Sequence, residues 1–362
     1  MTPKTAVILG TRPEIIKMAP VIRALENSDT EYFVLHTGQH YSYNLDGVFF
    51  EQLALDLPSY NLEVGSGSHA VQTAAILKGV EEILLRRKPD SVLVQGDTNS
   101  VLGGALAAAK LHIKVGHVEA GLRSYDKTMP EEINRVLTDH CSDYLFAPTE
   151  QAGTILKSEG IPENTVFVTG NTIVDALYQN IEIARRKSTI LSTLDIQPSR
   201  YFLATAHRQE NVDNRERLTS ILNGLRSVAD FYHQPVVYPV HPHALTRIKE
   251  FGLDTAGVVL IDPVDYFDFL ILQNYSRLVL TDSGGVQEET CILGVPCVTL
   301  RDNTERPETV EVGANMLAGT DSENILECVR LSFERGGRWR NPFGDGTAAE
   351  KIVDIITGGS NG

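Results

Sequence analysis

Short apolar runs rich in valine, isoleucine and leucine alternate along this chain with longer stretches of helical periodicity. In the first half the apolar runs lie at residues 5–9, 32–35, 91–95, 115–119 and 144–147, and the helical stretches at 15–26, 71–87, 100–111 and 131–139. Runs of this length without polar alternation are typical of strands buried on both faces of a parallel sheet. The regular succession of strand and helix predicts a doubly wound α/β domain.

The same pattern begins again in the second half of the chain. Its apolar runs lie at residues 201–206, 236–240, 258–261, 278–281 and 297–300, and its helical stretches at 218–231, 266–274, 286–293 and 324–333. A length of 362 residues is sufficient for two such domains. A helical stretch followed by a polar segment marks the boundary, so we predict an α/β fold of two Rossmann-like domains, residues 1–170 and 171–346. The carboxyl ends of their strands are expected to face a cleft.

The charge of the chain limits the classes of partner that it can bind. Its 32 Lys and Arg residues against 47 Asp and Glu residues give a net charge of −15, whereas a nucleic-acid-binding protein carries a broad basic surface. No apolar run reaches the roughly 18 residues of a membrane-spanning helix, and the first residues lack the apolar core of a signal peptide. We therefore expect a cytoplasmic protein that binds neither nucleic acid nor membrane.

The spacing of cysteine and histidine does not indicate a metal site. The four cysteines are scattered, at positions 141, 291, 297 and 328, without a C-x-x-C pair. His241 and His243 follow a predicted strand, but no third ligand stands at a suitable spacing. We expect neither a metal nor another cofactor.

A helix start with two cations follows the first predicted strand. Gly10 makes the turn, and Arg12 and Lys17 come at and just after the start of the predicted helix. Free N–H groups at a helix start favour an anion, and the two side chains add positive charge. A phosphate or another acidic group is the ligand that this pattern favours, and a simple turn with solvated charges is the alternative.

Three carboxylates mark later strand ends of the first domain. Asp97 and Glu119 follow predicted strands, and Glu131 lies in the first turn of a helix. The nearby cations are Arg12, Arg123 and Arg135. Crowded carboxylates repel, so one of them can hold a raised pKa and carry a proton to or from carbon. The alternatives are that Asp97 caps a helix and that Glu131 only stabilises a helix dipole.

The second domain carries features of a nucleotide site. His207 follows its first strand and can donate a hydrogen bond or a proton. A strand ends at residue 281, and the backbone N–H groups of Ser283, Gly284 and Gly285 then form an anion cradle at the start of a helix. Glu289 lies one turn inside that helix, where it can reach a ribose, and Arg306 follows the next strand.

Taken together, these segments resemble the non-hydrolysing UDP-N-acetylglucosamine 2-epimerases. The motifs are Gly-Thr-Arg-Pro-Glu (10–14) with Lys17, Gln-Gly-Asp-Thr (95–98), Gly-His-Val-Glu-Ala-Gly-Leu-Arg (116–123), Pro-Glu-Glu-Ile-Asn-Arg (130–135), Thr-Asp-Ser-Gly-Gly-Val-Gln-Glu-Glu (281–289) and Thr-Glu-Arg-Pro-Glu (304–308). They run in order through nearly the whole chain, and the set is specific although each motif alone is not.

The resemblance implies a fold, an assembly and a reaction. The fold is that of the GT-B nucleotide-sugar glycosyltransferases, with a last helix at about residues 347–358 that packs back on the first domain. The assembly is a homodimer. In the reaction, UDP is eliminated across C1–C2 of UDP-N-acetylglucosamine to give a 2-acetamidoglucal, and it adds back with the proton on the other face of C2. The product, UDP-N-acetylmannosamine, would serve surface polysaccharide or glycan synthesis.

The resemblance also assigns roles to individual residues. Asp97, Glu119 and Glu131 match the carboxylates implicated in proton transfer, and His207 matches a histidine near the diphosphate. The positions that match substrate-binding residues are Arg12, Lys17, Arg135, Phe269, Ser283, Gly284, Glu289 and Arg306. Some members bind a second UDP-N-acetylglucosamine as an activator, and the positions related to that site are Gln39, His40, His69, Arg208 and Glu210.

Other activities on the same architecture stay open at this point. Residues 124–129 also resemble sister epimerases that act on UDP-2,3-diacetamido-glucuronate. A glycosyltransferase would use the same donor with an acceptor alcohol, and a hydrolysing epimerase would release the free sugar. A nucleotide-sugar sensor would bind without exchanging the C2 proton. Fold alone does not separate these activities.

Overall fold

The computed structural model describes residues 3–38, 43–336 and 338–358. The chain forms two compact units, Met1–Tyr178 with Phe343–Gly362, and Gln179–Pro342. The division falls within the helix that the sequence analysis placed at the domain boundary. Each unit has its own apolar core around a parallel sheet.

The first unit is built on a seven-stranded sheet within the described residues. Its strands are β1 (Lys4–Leu9), β2 (Glu31–His36), β3 (Tyr60–Asn61), β4 (Ser91–Gln95), β5 (Lys114–Val118), β6 (Tyr144–Ala147) and β7 (Val166–Val168). They lie in the order β3-β2-β1-β4-β5-β6-β7, and every neighbouring pair is parallel. The strand order reverses between β1 and β4, and in such sheets ligands bind beyond the carboxyl ends of the strands at that reversal.

Helices connect these strands. They are α1 (Arg12–Glu26), α2 (Tyr43–Gln52), α3 (His69–Arg87), α4 (Asn99–Lys110), α5 (Pro130–Cys141), α6 (Glu150–Ser158) and α7 (Thr172–Lys187). Local sequence sets where two of them begin. Thr11 and Glu14 form a capping box at the start of α1, and the Thr98 hydroxyl accepts the Val101 N–H at the start of α4.

The second unit repeats the architecture with a six-stranded sheet within the described residues. Its strands are β8 (Phe202–Thr205), β9 (Val236–Pro239), β10 (Val258–Ile261), β11 (Val279–Thr281), β12 (Cys297–Thr299) and β13 (Asn315–Leu317). The order is β10-β9-β8-β11-β12-β13, again with parallel neighbours. Its helices are α8 (Ile190–Thr193), α9 (Gln209–Val212), α10 (Arg215–Tyr232), α11 (Pro242–Phe251), α12 (Tyr266–Tyr275), α13 (Gly284–Leu293), α14 (Pro307–Glu311) and α15 (Ser322–Glu334).

The last helix, α16 (Ala348–Thr357), belongs to the first unit. It packs against α1, and its residues Ile352 and Val353 are buried. The N–H groups of Ala348 and Ala349 donate to the carboxylate of Asp175 on α7, at 3.3 and 2.9 Å. The Asp175 carboxylate therefore ties the start of α16 to the same unit.

The predicted fold class is confirmed, because both sheets are parallel and doubly wound. The elements that the sequence did not reveal are the short strands β3, β7 and β13 and the helices α2, α6 and α11, among others. Strands of two or three residues are too short to give an apolar run. Over the described part of the chain, no helix has the length and apolar character needed to span a membrane.

Candidate active site

The loop between β1 and α1 is organised by a buried carboxyl group, that of Glu14. Its Oε2 accepts the N–H groups of Gly10 at 2.5 Å and Thr11 at 3.3 Å, and its Oε1 accepts the Thr98 hydroxyl at 2.6 Å. Glu14 is 2% exposed, and burial raises its pKa to about 7 although these hydrogen bonds favour the ionised form. Sequence analysis missed this residue, and its signal was the capping-box spacing from Thr11.

Arg12 and Lys17, both predicted to bind an anion, lie on α1 in different surroundings. The guanidinium of Arg12 lies over the ring of Phe49, 5.1 Å from its centroid. Lys17 reaches the end of β5, where its Nζ lies 2.8 and 2.6 Å from the two carboxylate oxygens of Glu119. The structure thus joins two of the predicted site residues, Lys17 and Glu119, in an ion pair.

Glu119 adopts an unusual backbone conformation. The apolar run predicted a strand through residue 119, but β5 ends at Val118, and Glu119 has a φ of +71°. That left-handed conformation costs a non-glycine residue roughly 1–2 kcal/mol. The side chain is 7% exposed and also accepts a hydrogen bond from Gln95 Nε2. The turn and its partners hold this carboxylate at the strand end, and such strain is often found at functional sites.

Asp97 does not cap the helix that follows it. Thr98 is the N-cap of α4, with its hydroxyl accepting the Val101 N–H at 3.4 Å. The carboxylate of Asp97 instead pairs with the guanidinium of Arg135 on α5. These two predicted site residues are therefore in contact, and Arg135 also lies 3.2 Å from Glu132.

Helix α5 presents two adjacent glutamates in opposite environments. Glu131 is exposed and lies one turn before Arg135 on the same helix. Glu132 is buried and accepts hydrogen bonds from the Ser124 N–H and hydroxyl at 2.9 Å and from the Tyr125 N–H at 3.0 Å. Burial alone would raise the pKa of Glu132, but these donors and Arg135 hold it below its usual value. Glu132 shapes the loop before α5, whereas Glu131 is open to solvent.

Arg123 pairs with carboxylates other than the three that the sequence analysis grouped with it. Its side chain is 1% exposed and pairs with Asp139 at 2.7 Å and Glu159 at 2.6 Å. Asp139 lies on α5, and Glu159 is the C-cap residue of α6. Arg123 follows Glu119 by four residues in the sequence, and its side chain is buried against these two partners.

The second unit holds His207 beside a buried carboxylate that the sequence analysis did not single out. His207 Nδ1 lies 3.2 Å from Oδ1 of Asp282, and the His207 side chain is 49% exposed. Asp282 is fully buried and accepts the N–H groups of His207 and Arg208 and the amide of Asn211. Burial alone would raise its pKa, but these donors and the His207 ring hold the pKa below its usual value. An ionised Asp282 beside Nδ1 orients the imidazole and leaves Nε2 as the ring nitrogen that this carboxylate does not contact.

The glycines at the start of α13 are not needed for its backbone. Neither Gly284 nor Gly285 has a positive φ. A Cβ atom on Gly285 would approach nothing nearer than Ser283 Oγ at 4.0 Å, and one on Gly284 would lie 3.3 Å from Glu305 Oε2. Ser283 is the N-cap residue, and its side chain makes no capping hydrogen bond. The small residues leave the N–H groups of this helix start approachable, as an anion site requires.

The other predicted nucleotide contacts lie near α13. Glu289 accepts a hydrogen bond from Gln273 Nε2 on α12 at 2.8 Å. Phe269 lies one turn before Gln273 on α12 and is half-buried. Arg306 lies 3.4 Å from the buried Glu288 through its Nε. Gln273 is a further residue that the sequence analysis missed, because its amide holds the glutamate predicted to reach a ribose.

The residues related to an activator site fall into separate places. Gln39 and His40 lie outside the described residues. His69 is exposed at the start of α3, with its Nδ1 3.2 Å from Asn99 Nδ2. In the second unit, Arg208 lies 3.5 Å from Glu305 and Glu210 lies 3.3 Å from Arg301. Their regulatory role stays a prediction.

The described ranges contain no group of three or more histidine, cysteine, aspartate or glutamate side chains arranged to hold a metal ion. The four cysteines are free thiols, and three of them are buried.

Comparison with known proteins places the chain in a family. The family model described as UDP-N-acetylglucosamine 2-epimerase matches residues 23–357. A protein of Methanocaldococcus jannaschii named UDP-N-acetylglucosamine 2-epimerase is 53% identical over 98% of this chain and 99% of its own length. A UDP-2,3-diacetamido-2,3-dideoxy-D-glucuronate 2-epimerase of Pseudomonas aeruginosa is 41% identical over 98% and 99% of the two chains.

A solved structure gives the same result. The crystal structure of the M. jannaschii UDP-GlcNAc 2-epimerase in complex with UDP-GlcNAc and UDP is similar to this chain with a TM-score of 0.83. The two are 54% identical, and the match covers 98% of this chain and 100% of the other. These matches confirm the resemblance drawn from the motifs, and the chain belongs to the UDP-N-acetylglucosamine 2-epimerase family.

Proposed function

We propose that this chain interconverts UDP-N-acetylglucosamine and UDP-N-acetylmannosamine by epimerisation at C2. The names of its relatives support this substrate. The observation that carries the proposal is a pair of carboxylates at the ends of neighbouring strands, each held by a cation, Asp97 by Arg135 and Glu119 by Lys17. Proton transfer to and from carbon requires such fixed acid and base groups. The product would enter surface polysaccharide or glycan synthesis.

The proposed reaction is an elimination followed by an addition. A carboxylate removes the C2 proton, the C2–H electrons form the C1=C2 bond of a 2-acetamidoglucal, and the C1–O bond breaks toward UDP. UDP oxygen then re-forms the bond to C1 while a protonated carboxyl group delivers a proton to the other face of C2. Substrate and product are isomers, so no oxidant is needed. Asp97, Glu119 and Glu131 are the groups that we assign to these proton transfers.

The second domain, residues 171–346, is proposed to bind UDP, while the first, with the helix at about 347–358, supplies the acid and base groups. The N–H groups at the start of α13 would receive phosphate oxygens, with Arg306 adding charge. Glu289, held by Gln273, would accept ribose hydroxyls, and Phe269 would contact uracil. His207, oriented by Asp282, would stabilise or protonate the leaving UDP oxygen.

The activity is tested by incubating UDP-N-acetylglucosamine with the purified protein without added nicotinamide or metal. Proton NMR and anion-exchange chromatography would follow UDP-N-acetylmannosamine, and we expect the two sugars to reach equilibrium from either side. If the folded protein forms no UDP-N-acetylmannosamine, the proposal is contradicted. Release of UDP only in the presence of an acceptor alcohol would instead identify a glycosyltransferase.

A second candidate substrate is UDP-2,3-diacetamido-glucuronate, favoured by the similarity to the P. aeruginosa relative. The measurement is kcat/KM for both nucleotide sugars with the same enzyme preparation. We expect the larger value for UDP-N-acetylglucosamine, because the relative named for that substrate is 53% identical and the other 41% identical. The opposite order would assign the diacetamido sugar.

We also propose that the chain is a homodimer. Met129 is the N-cap residue of α5, and Ile133 and Leu137 follow it at intervals of four residues. The three side chains are 37%, 49% and 50% exposed, so they form an apolar strip that a second copy would cover. Light scattering should give twice the chain mass of 39.8 kDa. Leu137→Glu should shift the protein toward monomer, whereas Leu85→Glu, at an exposed position of α3, should not. A monomer in the unchanged protein contradicts the proposal.

A further inference from the structure

A fully buried histidine, His117 on β5, has an oxygen acceptor at each ring nitrogen. Its Nδ1 lies 2.6 Å from Asp139 Oδ1, and its Nε2 lies 2.8 Å from the carbonyl oxygen of Gly96. A carbonyl oxygen only accepts hydrogen bonds, so Nε2 must carry a hydrogen. The protonation of Nδ1 then depends on whether Asp139 is ionised.

The other partners of Asp139 settle its charge. Oδ2 of Asp139 lies 2.7 Å from Nη1 of Arg123 and accepts the Gly121 N–H at 3.2 Å. Both groups are donors, so the surroundings favour the carboxylate and leave its Oδ1 to accept a hydrogen from His117. We propose that His117 is a permanently charged, doubly protonated positioning residue whose Nε2–H fixes the Gly96–Asp97 turn beside Glu119.

The Gly96–Asp97 turn carries one of the proposed acid–base groups, the Asp97 carboxylate, and is fixed by hydrogen bonds to its backbone. Gly96 has a φ of +86°, and its N–H donates to the Val118 carbonyl at 3.1 Å. The Asp97 carbonyl accepts Asn134 Nδ2 at 2.9 Å. The hydrogen bond from His117 completes the set by holding the carbonyl that directly precedes Asp97. A change at His117 therefore shifts Asp97, although His117 itself is too deeply buried to touch a substrate.

The charged groups around His117 are three carboxylates and one cation. The carboxylates are Asp139 of α5, Glu119 of the turn after β5 and Glu159 at the C-cap of α6, and the cation is Arg123, which pairs with Asp139 and Glu159. Burial alone would lower the pKa of His117, but the charge and hydrogen bond of Asp139, the Gly96 carbonyl and Glu119 outweigh it, so the pKa lies above its usual value. The direction of this change agrees with the doubly protonated ring that the hydrogen-bond geometry assigns.

The charge state is tested on the full-length protein by histidine ring ¹⁵N NMR. The chain has ten histidines, and the His117 signal is assigned as the one that is lost in His117→Gln. We expect both ring nitrogens of His117 to stay protonated at pH 7.5, where exposed histidines are neutral. A neutral tautomer at that pH overturns the proposal, and this result does not depend on any enzymatic activity.

The positioning role rests on the proposed epimerase activity and is tested by kinetics. Glutamine can still donate one hydrogen bond but carries no charge, so we expect kcat of His117→Gln to fall by about 10- to 100-fold while KM changes by less than about threefold. His112→Gln, at an exposed histidine, is the matched control. An unchanged kcat in folded His117→Gln protein overturns the positioning role. If the unchanged protein has no epimerase activity, the proposed function fails while the NMR result still decides the charge of His117.

The structural alternative is separated by two further measurements. If His117 had a purely structural role, His117→Gln would lower the melting temperature without changing kcat of the enzyme that remains folded. If His117→Gln does not fold, Asn134→Ala removes a different hydrogen bond to the same turn, the one to the Asp97 carbonyl, and is expected to lower kcat by a similar factor. A normal kcat in Asn134→Ala, together with a neutral His117, contradicts the account of this turn.

Discussion

Lys17 of α1 and Glu119 at the end of β5 form an ion pair in which Lys17 Nζ lies 2.8 and 2.6 Å from the two carboxylate oxygens. The residues are 102 positions apart in the sequence, and both side chains are largely buried. The pair joins a residue predicted to bind phosphate to one predicted to transfer a proton. The position of the Glu119 carboxylate therefore depends on α1.

Removal of the cation should therefore damage the site more than the fold. In Lys17→Met, Glu119 loses the ammonium group that holds both of its carboxylate oxygens, so its side chain is no longer fixed at the end of β5. We expect kcat to fall by about 100-fold or more. Lys110→Met, at an exposed position of α4, is the control. Steady-state kinetics and melting temperatures are measured for both variants. A fully active Lys17→Met would contradict this account.

The proposed proton-transfer residues should be needed for chemistry rather than folding. Asp97→Asn and Glu131→Gln keep side-chain size but cannot exchange a proton, so each should lose about two decades or more in rate. Circular dichroism should be unchanged, because Glu131 is exposed and Asp97 lies at a strand end. Glu132→Gln, at the buried neighbour that orders the loop, should instead reduce stability. Normal turnover in both Asp97→Asn and Glu131→Gln removes the assignment.

Glu14 should give the folded protein a distinct dependence on pH. Its pKa is 4.5 in an unfolded chain and about 7 in the fold, so the folded state binds the proton more tightly. The resulting stabilisation is fully present below pH 4.5 and is lost as the pH rises through about 7. Between pH 5 and 8 the unchanged protein should lose roughly 2 to 3 kcal/mol of unfolding free energy relative to Glu14→Gln.

Urea unfolding across this pH range measures the Glu14 effect. Glu51→Gln, at an exposed glutamate of α2, should follow the unchanged protein at every pH. Parallel pH profiles for the unchanged protein and Glu14→Gln would show that the Glu14 carboxyl has an ordinary pKa in the fold.

Gly285→Ala should separate UDP binding from stability. A Cβ at this position meets no atom nearer than 4.0 Å, and alanine favours helix by up to about 1 kcal/mol over glycine, so stability should be kept or increased. The added methyl group would stand before the N–H groups proposed to hold phosphate, and UDP affinity should fall about tenfold or more. Gly47→Ala on α2, where a Cβ also meets nothing, is the control. Equal UDP affinity by calorimetry would place the phosphate elsewhere.

The sequence predicted the large elements and most strand-end residues because both follow from local patterns. Apolar runs and helical periods placed nearly all buried strands, and a residue after a buried strand lies at the edge of the sheet whatever the tertiary details. Side-chain partners do not follow from such patterns. Arg123 follows Glu119 by only four positions, yet its buried side chain pairs with Asp139, a residue of a later helix.

The residues that were missed share one physical property. Glu14, His117 and Asp282 are buried polar groups that form hydrogen bonds with another segment of the chain. A capping-box spacing marked Glu14, but its contact with Thr98 joins positions 84 residues apart. Such long-range hydrogen bonds can be identified only from the folded structure, because the local sequence around a buried polar residue does not indicate which residue is its partner.

The most direct test of the proposed chemistry is the epimerisation of UDP-N-acetylglucosamine in D₂O, followed by proton NMR. Elimination and re-addition exchange the C2 proton with solvent through the carboxylates, so UDP-N-acetylmannosamine should form with deuterium at C2 from the first turnover. Asp97→Asn should suppress this incorporation with the fold intact. Product that retains its original C2 proton, or a substrate that is never converted, would contradict the account.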